Sequence, residues 1–98
     1  MDDDVLMQEL LGALLDDTSK HIRLLDAAIR ERDRDGTLRL AHSCKGACAN
    51  LGANAVAATL HRLEQEAARD SFDECTLTAA TLAREFERLS AAVSAVTY

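Results

Sequence analysis

Apolar residues recur along the first third of the chain at alternating spacings of four and three, the period of one face of an α-helix. This stripe predicts a long amphipathic helix over residues 4–32, about 40 Å in length at ~1.5 Å per residue. Its members are Leu11, Leu15, Thr18, Ile22, Leu25 and Ile29, with Leu10, Leu14, Leu24 and Ala28 widening it. The polar stretch at 16–20 could interrupt this helix, so one continuous helix and two shorter helices both fit the pattern.

Three further stripes of the same period predict helices over residues 36–51, 54–69 and 73–96. The last stripe is the most regular, because its spacings alternate between four and three all the way from Cys75 to Val93. Short connections separate the four stripes, and short connections force neighbouring helices to pack antiparallel. The chain is therefore predicted to be all-α, a single domain over residues 1–98 folded as an antiparallel four-helix bundle.

Two helix ends carry specific signals. In the first connection Asp33, Asp35 or Thr37 can each cap the second helix through a side-chain oxygen. Gly52 lies where a residue in the left-handed conformation would end that helix. The third helix starts directly afterwards, so the second and third helices are expected to form a tight hairpin.

The composition supports a helical domain and excludes some classes of partner. Proline is absent, and the apolar and charged residues are mostly helix formers such as alanine, leucine, arginine and glutamate. A formal net charge of −6 argues against nucleic acid and against an anionic membrane surface as partners. Residues 2–4 are acidic where a signal peptide would be basic, and no apolar run approaches the ~20 residues of a membrane span. We therefore expect a cytoplasmic protein.

The stretch from Ala41 to Ala53 carries the unusual chemistry. On a helix at about 100° per residue, one apolar face gathers Leu40, Cys44, Ala47, Cys48 and Leu51. His42 falls almost opposite the centre of this face, with Lys45 and Gly46 one turn further on and Ala49 two turns on. A glycine inside a helix costs roughly 1 kcal/mol relative to alanine, and no turn or cap explains Gly46. The pattern therefore predicts an exposed imidazole, beside a cation, that something large must approach.

Metal and hydrolytic sites do not fit this arrangement. Cys44 and Cys48 are one turn apart and could ligate zinc, but both face inward, whereas His42 faces outward. Neither a CxxC nor an HExxH spacing occurs. Hydrolysis would need a nucleophile and a carboxylate beside the imidazole, and the neighbouring serine points about 100° away. We therefore expect no metal site, no cofactor and buried thiols, with boundary or surface positions for the other two histidines, His21 and His61.

Nucleophilic attack on phosphorus by His42 accounts for the residues around it. A solvent-exposed imidazole is largely uncharged at pH 7 and can then attack a phosphoryl group. Lys45 can neutralise phosphoryl oxygens as a point charge. Gly46 leaves room for an incoming partner, and Leu38, one turn before the histidine, is expected to be an exposed apolar contact for that partner. These neighbours favour a phosphoryl-accepting histidine over an ordinary surface histidine.

Three segments resemble the histidine-containing phosphotransfer (HPt) domain family. They are Ala41-His42-Ser43-Cys44-Lys45-Gly46, the closing Leu51-Gly52-Ala53 and, further on, Leu63-Glu64. The helical periodicity on either side also suits the family, so the resemblance covers essentially the whole chain. Cys44 departs from the pattern, because the family usually has leucine or another large aliphatic residue there. We expect this smaller side chain to cost some core packing and to leave the assignment of His42 unchanged.

The resemblance implies a role for each matching residue. His42 would be phosphorylated on its outer ring nitrogen, Lys45 would help to position the phosphoryl group, and Gly46 would leave room for a receiver domain. The docking surface would include Leu38, Ala49 and Glu64.

The resemblance also implies the partners, which are response-regulator receiver domains and an upstream hybrid histidine kinase. The phosphoryl group would pass from a phosphoaspartate of one receiver to His42 and on to an aspartate of a second receiver, with Mg²⁺ on the receiver. The chain would be a monomeric phosphocarrier without an ATP site of its own. Two alternatives stay open: a phosphoacceptor domain of a chemotaxis-type or hybrid histidine kinase, and a helical docking bundle that is never phosphorylated.

Overall fold

The computed structural model describes the backbone of residues 2–96 and the side chains of residues 5–94. The prediction of an all-α, four-helix bundle is confirmed, and no strand occurs among these residues. The helices are α1 (Asp2–Arg30), α2 (Arg34–Asn50), α3 (Asn54–Ala68) and α4 (Phe72–Val96). Residue 1 and residues 97 and 98 of the predicted single domain lie outside the described range.

Helix α1 continues through the polar stretch at 16–20, so the uninterrupted alternative is the one that the structure adopts. Two polar side chains there bond to the backbone of the same helix instead of breaking it. The Thr18 hydroxyl donates to the Leu14 carbonyl at 2.8 Å, and the His21 Nδ1 lies 2.8 Å from the Asp17 carbonyl oxygen. Because the Thr18 hydroxyl is satisfied in this way, its side chain can be buried in the core stripe.

All three connections have the same construction. Each helix is followed by a residue with positive φ: Arg32 at 55°, Gly52 at 75° and Asp70 at 57°. The amide of the next residue then donates to a carbonyl five residues back, as in Ala53 to Cys48 at 2.9 Å. This is the Schellman arrangement, and it confirms the expected left-handed end at Gly52. Because each connection is only three residues long, neighbouring helices run antiparallel.

Helix α2 begins at one of the three candidate caps, Asp33. The Asp33 carboxylate accepts from the Gly36 amide at 3.0 Å, and the Thr37 amide and hydroxyl donate to the Asp33 carbonyl at 2.9 and 2.7 Å. A Cβ at Gly36 would collide with the Asp33 carboxylate, so this close approach needs glycine. The cap sets where α2 begins and therefore the position of every residue along it.

The helices pack around the bundle in chain order, α1 on α2, α2 on α3, α3 on α4, and α4 back on α1. The hairpin of α2 and α3 has the most extensive contact and lies against the pair formed by α1 and α4. Its residues supply much of the core, which includes Leu25, Ile29, Ala41, Cys44, Cys48, Val56, Leu60, Leu63, Ala67, Phe72, Cys75 and Leu82.

The outer helices are much longer than the hairpin that they carry, with 29 and 25 residues against 17 and 15. Because of this difference in length, residues on one face of α1 differ in burial, as Leu10 and Ala28 show. They are 18 residues apart, which is five full turns and therefore the same face of α1. Ala28 is buried beneath α2, whereas Leu10 is 55% exposed because α2 does not extend that far. Leu24 also remains exposed, since it lies too far round the helix. The expectation that both leucines belong to the buried stripe was therefore wrong.

Candidate functional site

His42 lies on the flank of α2 that faces α3. The buried face of α2 is centred on Thr37, Ala41, Cys44 and Cys48, whereas Leu40, Ala47 and Leu51 lie half-buried at one edge of it. His42 is about 130° from the centre of that face, so the prediction that it lies almost opposite the apolar face needs correction. The reason is that small residues pack closest to the neighbouring helices, which turns the bulkier leucines to the side. The imidazole is nevertheless 75% exposed.

The carboxylate of Glu64, on α3, spans the space between His42 and Lys45. One carboxylate oxygen lies 2.7 Å from the Lys45 Nζ, and the other lies 3.8 Å from the His42 Nδ1. The first contact is a close ion pair, and the second is at ion-pair distance but beyond a hydrogen bond. Both Glu64 and Lys45 are largely covered, with 19% and 27% of their side chains exposed. Partial burial weakens screening by solvent, so this pair holds its geometry better than a surface ion pair.

His61, which was expected at a boundary or surface position, adds a fourth polar group. It is exposed, but its Nδ1 lies 3.4 Å from the Lys45 Nζ. An ammonium group only donates, so Nδ1 must accept, and the proton of the neutral His61 ring is then on Nε2. The sequence does carry a signal for these pairs. His42 and Glu64 are each 11 residues from Ala53, and Lys45 and His61 are each 8 residues from it. Residues equidistant from a tight turn lie side by side in an antiparallel hairpin.

Gly46 is exposed on the outer surface of α2, one turn beyond His42. A Cβ built at this position would meet nothing within 4 Å. Packing within the chain therefore does not require glycine here, and neither does the backbone, because the residue lies inside a regular helix. Nothing in the part of the chain that the structure describes therefore requires glycine at position 46.

Two further residues were expected on a docking surface. Ala49 is exposed, so it is available to a partner. Leu38 is half-buried and packs against the core, so the expectation that it is an exposed apolar contact was wrong. It lies about 90° from the centre of the buried face, at the boundary between core and surface.

The thiols are buried in the core, away from this surface. The Cys44 thiol donates a hydrogen bond to the Cys48 sulfur one turn along, and this bond, together with burial, raises the pKa of Cys44. Burial, together with the negative charges of Glu66 and Glu74, raises the pKa of Cys75 to about 11. Thiols with a raised pKa, such as Cys44 and Cys75, stay protonated at neutral pH and are poor nucleophiles and poor metal ligands. The pKa of Cys48 is lowered by its hydrogen bond with Cys44, but its side chain is fully buried. Within the described residues no group of three His, Cys, Asp or Glu side chains could hold a metal ion.

Comparisons with known proteins show the family to which the chain belongs. The family model of the Hpt domain matches residues 9–93, which is most of the chain. The chain belongs to the Hpt domain family. It is also similar to the crystal structure of histidine-containing phosphotransfer protein B (HptB) from Pseudomonas aeruginosa PAO1, at 27% sequence identity and a TM-score of 0.90. That similarity covers 99% of this chain and 83% of HptB. A search of curated proteins found no match.

Membership of the family establishes the general activity, which is histidine phosphotransfer in a phosphorelay. Hpt proteins are phosphocarriers that interact with receiver domains and kinases, so the resemblance seen in the sequence is confirmed. In the described part of this Hpt domain, no helix is long and apolar enough to cross a membrane.

Proposed function

We propose that His42 is the residue of this Hpt domain that carries the phosphoryl group, bound to its Nε2 atom. The observation that supports this most directly is the carboxylate of Glu64, which faces the Nδ1 side of the ring at 3.8 Å. A carboxylate on that side favours the tautomer with the proton on Nδ1. The lone pair is then on Nε2, on the solvent side of an imidazole that is 75% exposed.

The same carboxylate assists the transfer step. In-line attack by Nε2 forms an N–P bond while the bond between phosphorus and the donor aspartate oxygen breaks. The ring keeps its Nδ1 proton and gains positive charge as the new bond forms. A fixed negative group close to Nδ1 stabilises that developing charge without having to reorganise. Reverse transfer to a second aspartate uses the same geometry, so Glu64 serves both directions.

Lys45 supplies the charge that the phosphoryl oxygens require. Its ammonium group is held between Glu64 at 2.7 Å and His61 at 3.4 Å, on the helix turn that follows His42. Lysine side chains on a helix lean towards its N-terminus, which directs this ammonium group towards His42. His61 accepts from one of its three N–H donors and Glu64 is held as an ion pair, so a donor remains for a phosphoryl oxygen.

The partner, rather than ATP, is the source of the phosphoryl group in this proposal. The four glycines lie at positions 12, 36, 46 and 52, so the chain contains no glycine-rich loop of the kind that holds nucleotide phosphates. The open surface around Gly46 and Ala49 admits a domain that brings its own phosphoaspartate. We infer a phosphocarrier that works as a monomer with a receiver domain.

The test is transfer of radiolabelled phosphoryl groups from a phosphorylated receiver domain to variants of each histidine. His42→Gln is expected to abolish labelling while leaving the helical circular-dichroism signal intact. His21→Gln and His61→Gln are the matched controls and are expected to retain the label, at full and reduced rates respectively. Unchanged labelling of His42→Gln would refute the assignment. A parallel incubation with an ATP-charged kinase separates a kinase's own phosphoacceptor domain from a carrier that is charged by receivers.

A further inference from the structure

Arg39 is distinguished from most other arginines of the chain by having no partner. Seven of the nine arginines form an ion pair or a side-chain hydrogen bond: Arg23, Arg30, Arg32, Arg34, Arg62, Arg69 and Arg84. Arg39 and Arg88 form neither with any residue that the structure describes, and both are exposed. Arg88 lies on α4, whereas Arg39 lies on α2 one turn before His42.

The position of Arg39 places its charge on the surface that a partner must cover. It is about 60° round the helix from His42 and about 4.5 Å along the axis. The charge of Lys45 is offset by Glu64 at 2.7 Å, so the cluster around the imidazole has no net charge when His42 and His61 are neutral. Arg39 is therefore the uncompensated cation nearest to His42 among the described residues.

We propose that Arg39 is a docking residue that pairs with an acidic side chain on the receiver domain, beside the phosphorylated aspartate. The proposal rests on the phosphoacceptor role of His42. A specific protein interface covers about 800 Å² on each partner, a patch much wider than one helix turn. Any domain whose aspartate reaches the Nε2 of His42 therefore also covers Arg39. A guanidinium covered without a partner loses its hydration uncompensated, so a receiver that binds well must place a carboxylate opposite it.

The direction of the side chain favours a contact with the partner over one with the phosphoryl group. Side chains on a helix lean towards its N-terminus, so the His42 ring leans over the turn that contains Arg39. By the same rule Arg39 leans towards the turn that precedes it, away from the Nε2 of His42. Its guanidinium thus extends the docking surface beyond the reacting atoms.

The overall charge of the chain explains why an unpaired arginine at position 39 would favour binding of the receiver domain. The chain carries −6, and a receiver site that holds a phosphoaspartate is also acidic, so the two domains repel each other at long range. An unpaired cation at the rim of the docking surface reduces this repulsion locally and raises the association rate. It also discriminates among receivers, because one with a basic residue opposite Arg39 would be disfavoured.

The experiment measures the second-order rate of phosphoryl transfer between the wild-type chain and a receiver that transfers to it, at about 50 and 300 mM salt. Arg39→Gln is expected to lower the rate roughly 3- to 10-fold at low salt, and Arg39→Glu more, with both losses shrinking at high salt. Arg88→Gln is the matched control and is expected to transfer at the wild-type rate. In a partner-free arm, phosphoramidate labels His42 directly, and all the variants are expected to label equally.

Three results would overturn the proposal: wild-type transfer by Arg39→Gln, an equal loss in Arg88→Gln, or a parallel loss of labelling by phosphoramidate. The last would place Arg39 at the phosphoryl group instead of at the partner. Failure of the wild-type chain to exchange phosphoryl groups with any receiver would refute the proposed function, and the docking role of Arg39 with it. That outcome is distinct from a failure confined to the Arg39 variants.

Discussion

Replacing Gly46 by glutamine separates what this position does for the fold from what it does for the partner. Gly46 and Gly12 are both exposed, both lie inside regular helices, and a Cβ at either would meet nothing within 4 Å. A side chain at either position is therefore free of clashes in the isolated domain. Gly12 lies on α1, away from His42, which makes Gly12→Gln a matched control.

The expected change in stability is small and favourable for both variants. Glycine in a helix interior costs about 1 kcal/mol relative to alanine, and glutamine is nearly as good a helix former as alanine. Each variant should gain about 0.5 kcal/mol in the free energy of unfolding, which corresponds to a rise in Tm of about 2–4 °C for a domain of this size. Thermal denaturation followed by circular dichroism measures this.

The expected change in transfer differs sharply between the two. A glutamine at position 46 projects from the same surface as His42, one turn away, and holds the partner back from Nε2. Displacing reacting groups by about 1 Å can cost on the order of 10²-fold in rate. Gly46→Gln should therefore transfer at least about 10²-fold more slowly than wild type, whereas Gly12→Gln should match wild type. Rapid-quench measurement of transfer from a phosphorylated receiver gives both rates.

Two results would refute this reasoning. Undiminished transfer by Gly46→Gln would show that the open surface above Gly46 is not used by the partner. A loss of stability in Gly46→Gln would show that the glycine is required within the domain, so that slow transfer could no longer be assigned to the interface. Gly46→Ala, with a much smaller side chain, should be more stable than wild type by about 1 kcal/mol and lose less activity than Gly46→Gln.

Three further predictions concern the site and the helix ends. Glu64→Gln removes the charge that favours the Nδ1–H tautomer of His42, so we expect transfer to slow by about 10-fold or more, measured by the same assay; a wild-type rate would exclude that role. Arg32→Gly should raise the free energy of unfolding by about 0.5–1 kcal/mol, because glycine adopts the left-handed conformation without the penalty of a side chain. Gly52→Ala should lower it by about 1 kcal/mol for the same reason. Urea titration measures the free energy of unfolding of both variants. A change of the same sign in Arg32→Gly and Gly52→Ala would contradict the argument.

The register of the α2–α3 hairpin was already present in the sequence. In the hairpin that the short connection forms, residues equidistant from Ala53 face each other, which pairs His42 with Glu64 and Lys45 with His61. Periodicity predicted the four helical segments, because each carries an apolar stripe, although it left open whether the first is one helix or two. The phosphoacceptor candidate followed from local features as well, because an exposed histidine, a lysine and an unexplained glycine all lie within five residues.

The burial of particular side chains depended on neighbours that the sequence pattern does not specify. Leu10 and Ala28 share a face of α1, but only Ala28 has α2 above it. Similarly, the buried face of α2 is centred on small residues, because α1 and α3 both pack against it. His42 therefore lies on the flank of the helix and not on the side opposite the core, as the sequence pattern had predicted. Leu38 became half-buried for the same reason.

The sequence by itself therefore determined the helices, their antiparallel order and the residues that meet across the hairpin. These follow from local periodicity and short connections, which act over a few residues at a time. Only the tertiary structure decided how the charges are shared: Glu64 holds Lys45 at 2.7 Å and faces the Nδ1 of His42, while Arg39 is left without a partner. The pairing of side chains depends on distances of a few ångströms between separate helices, and only the packed bundle sets those distances.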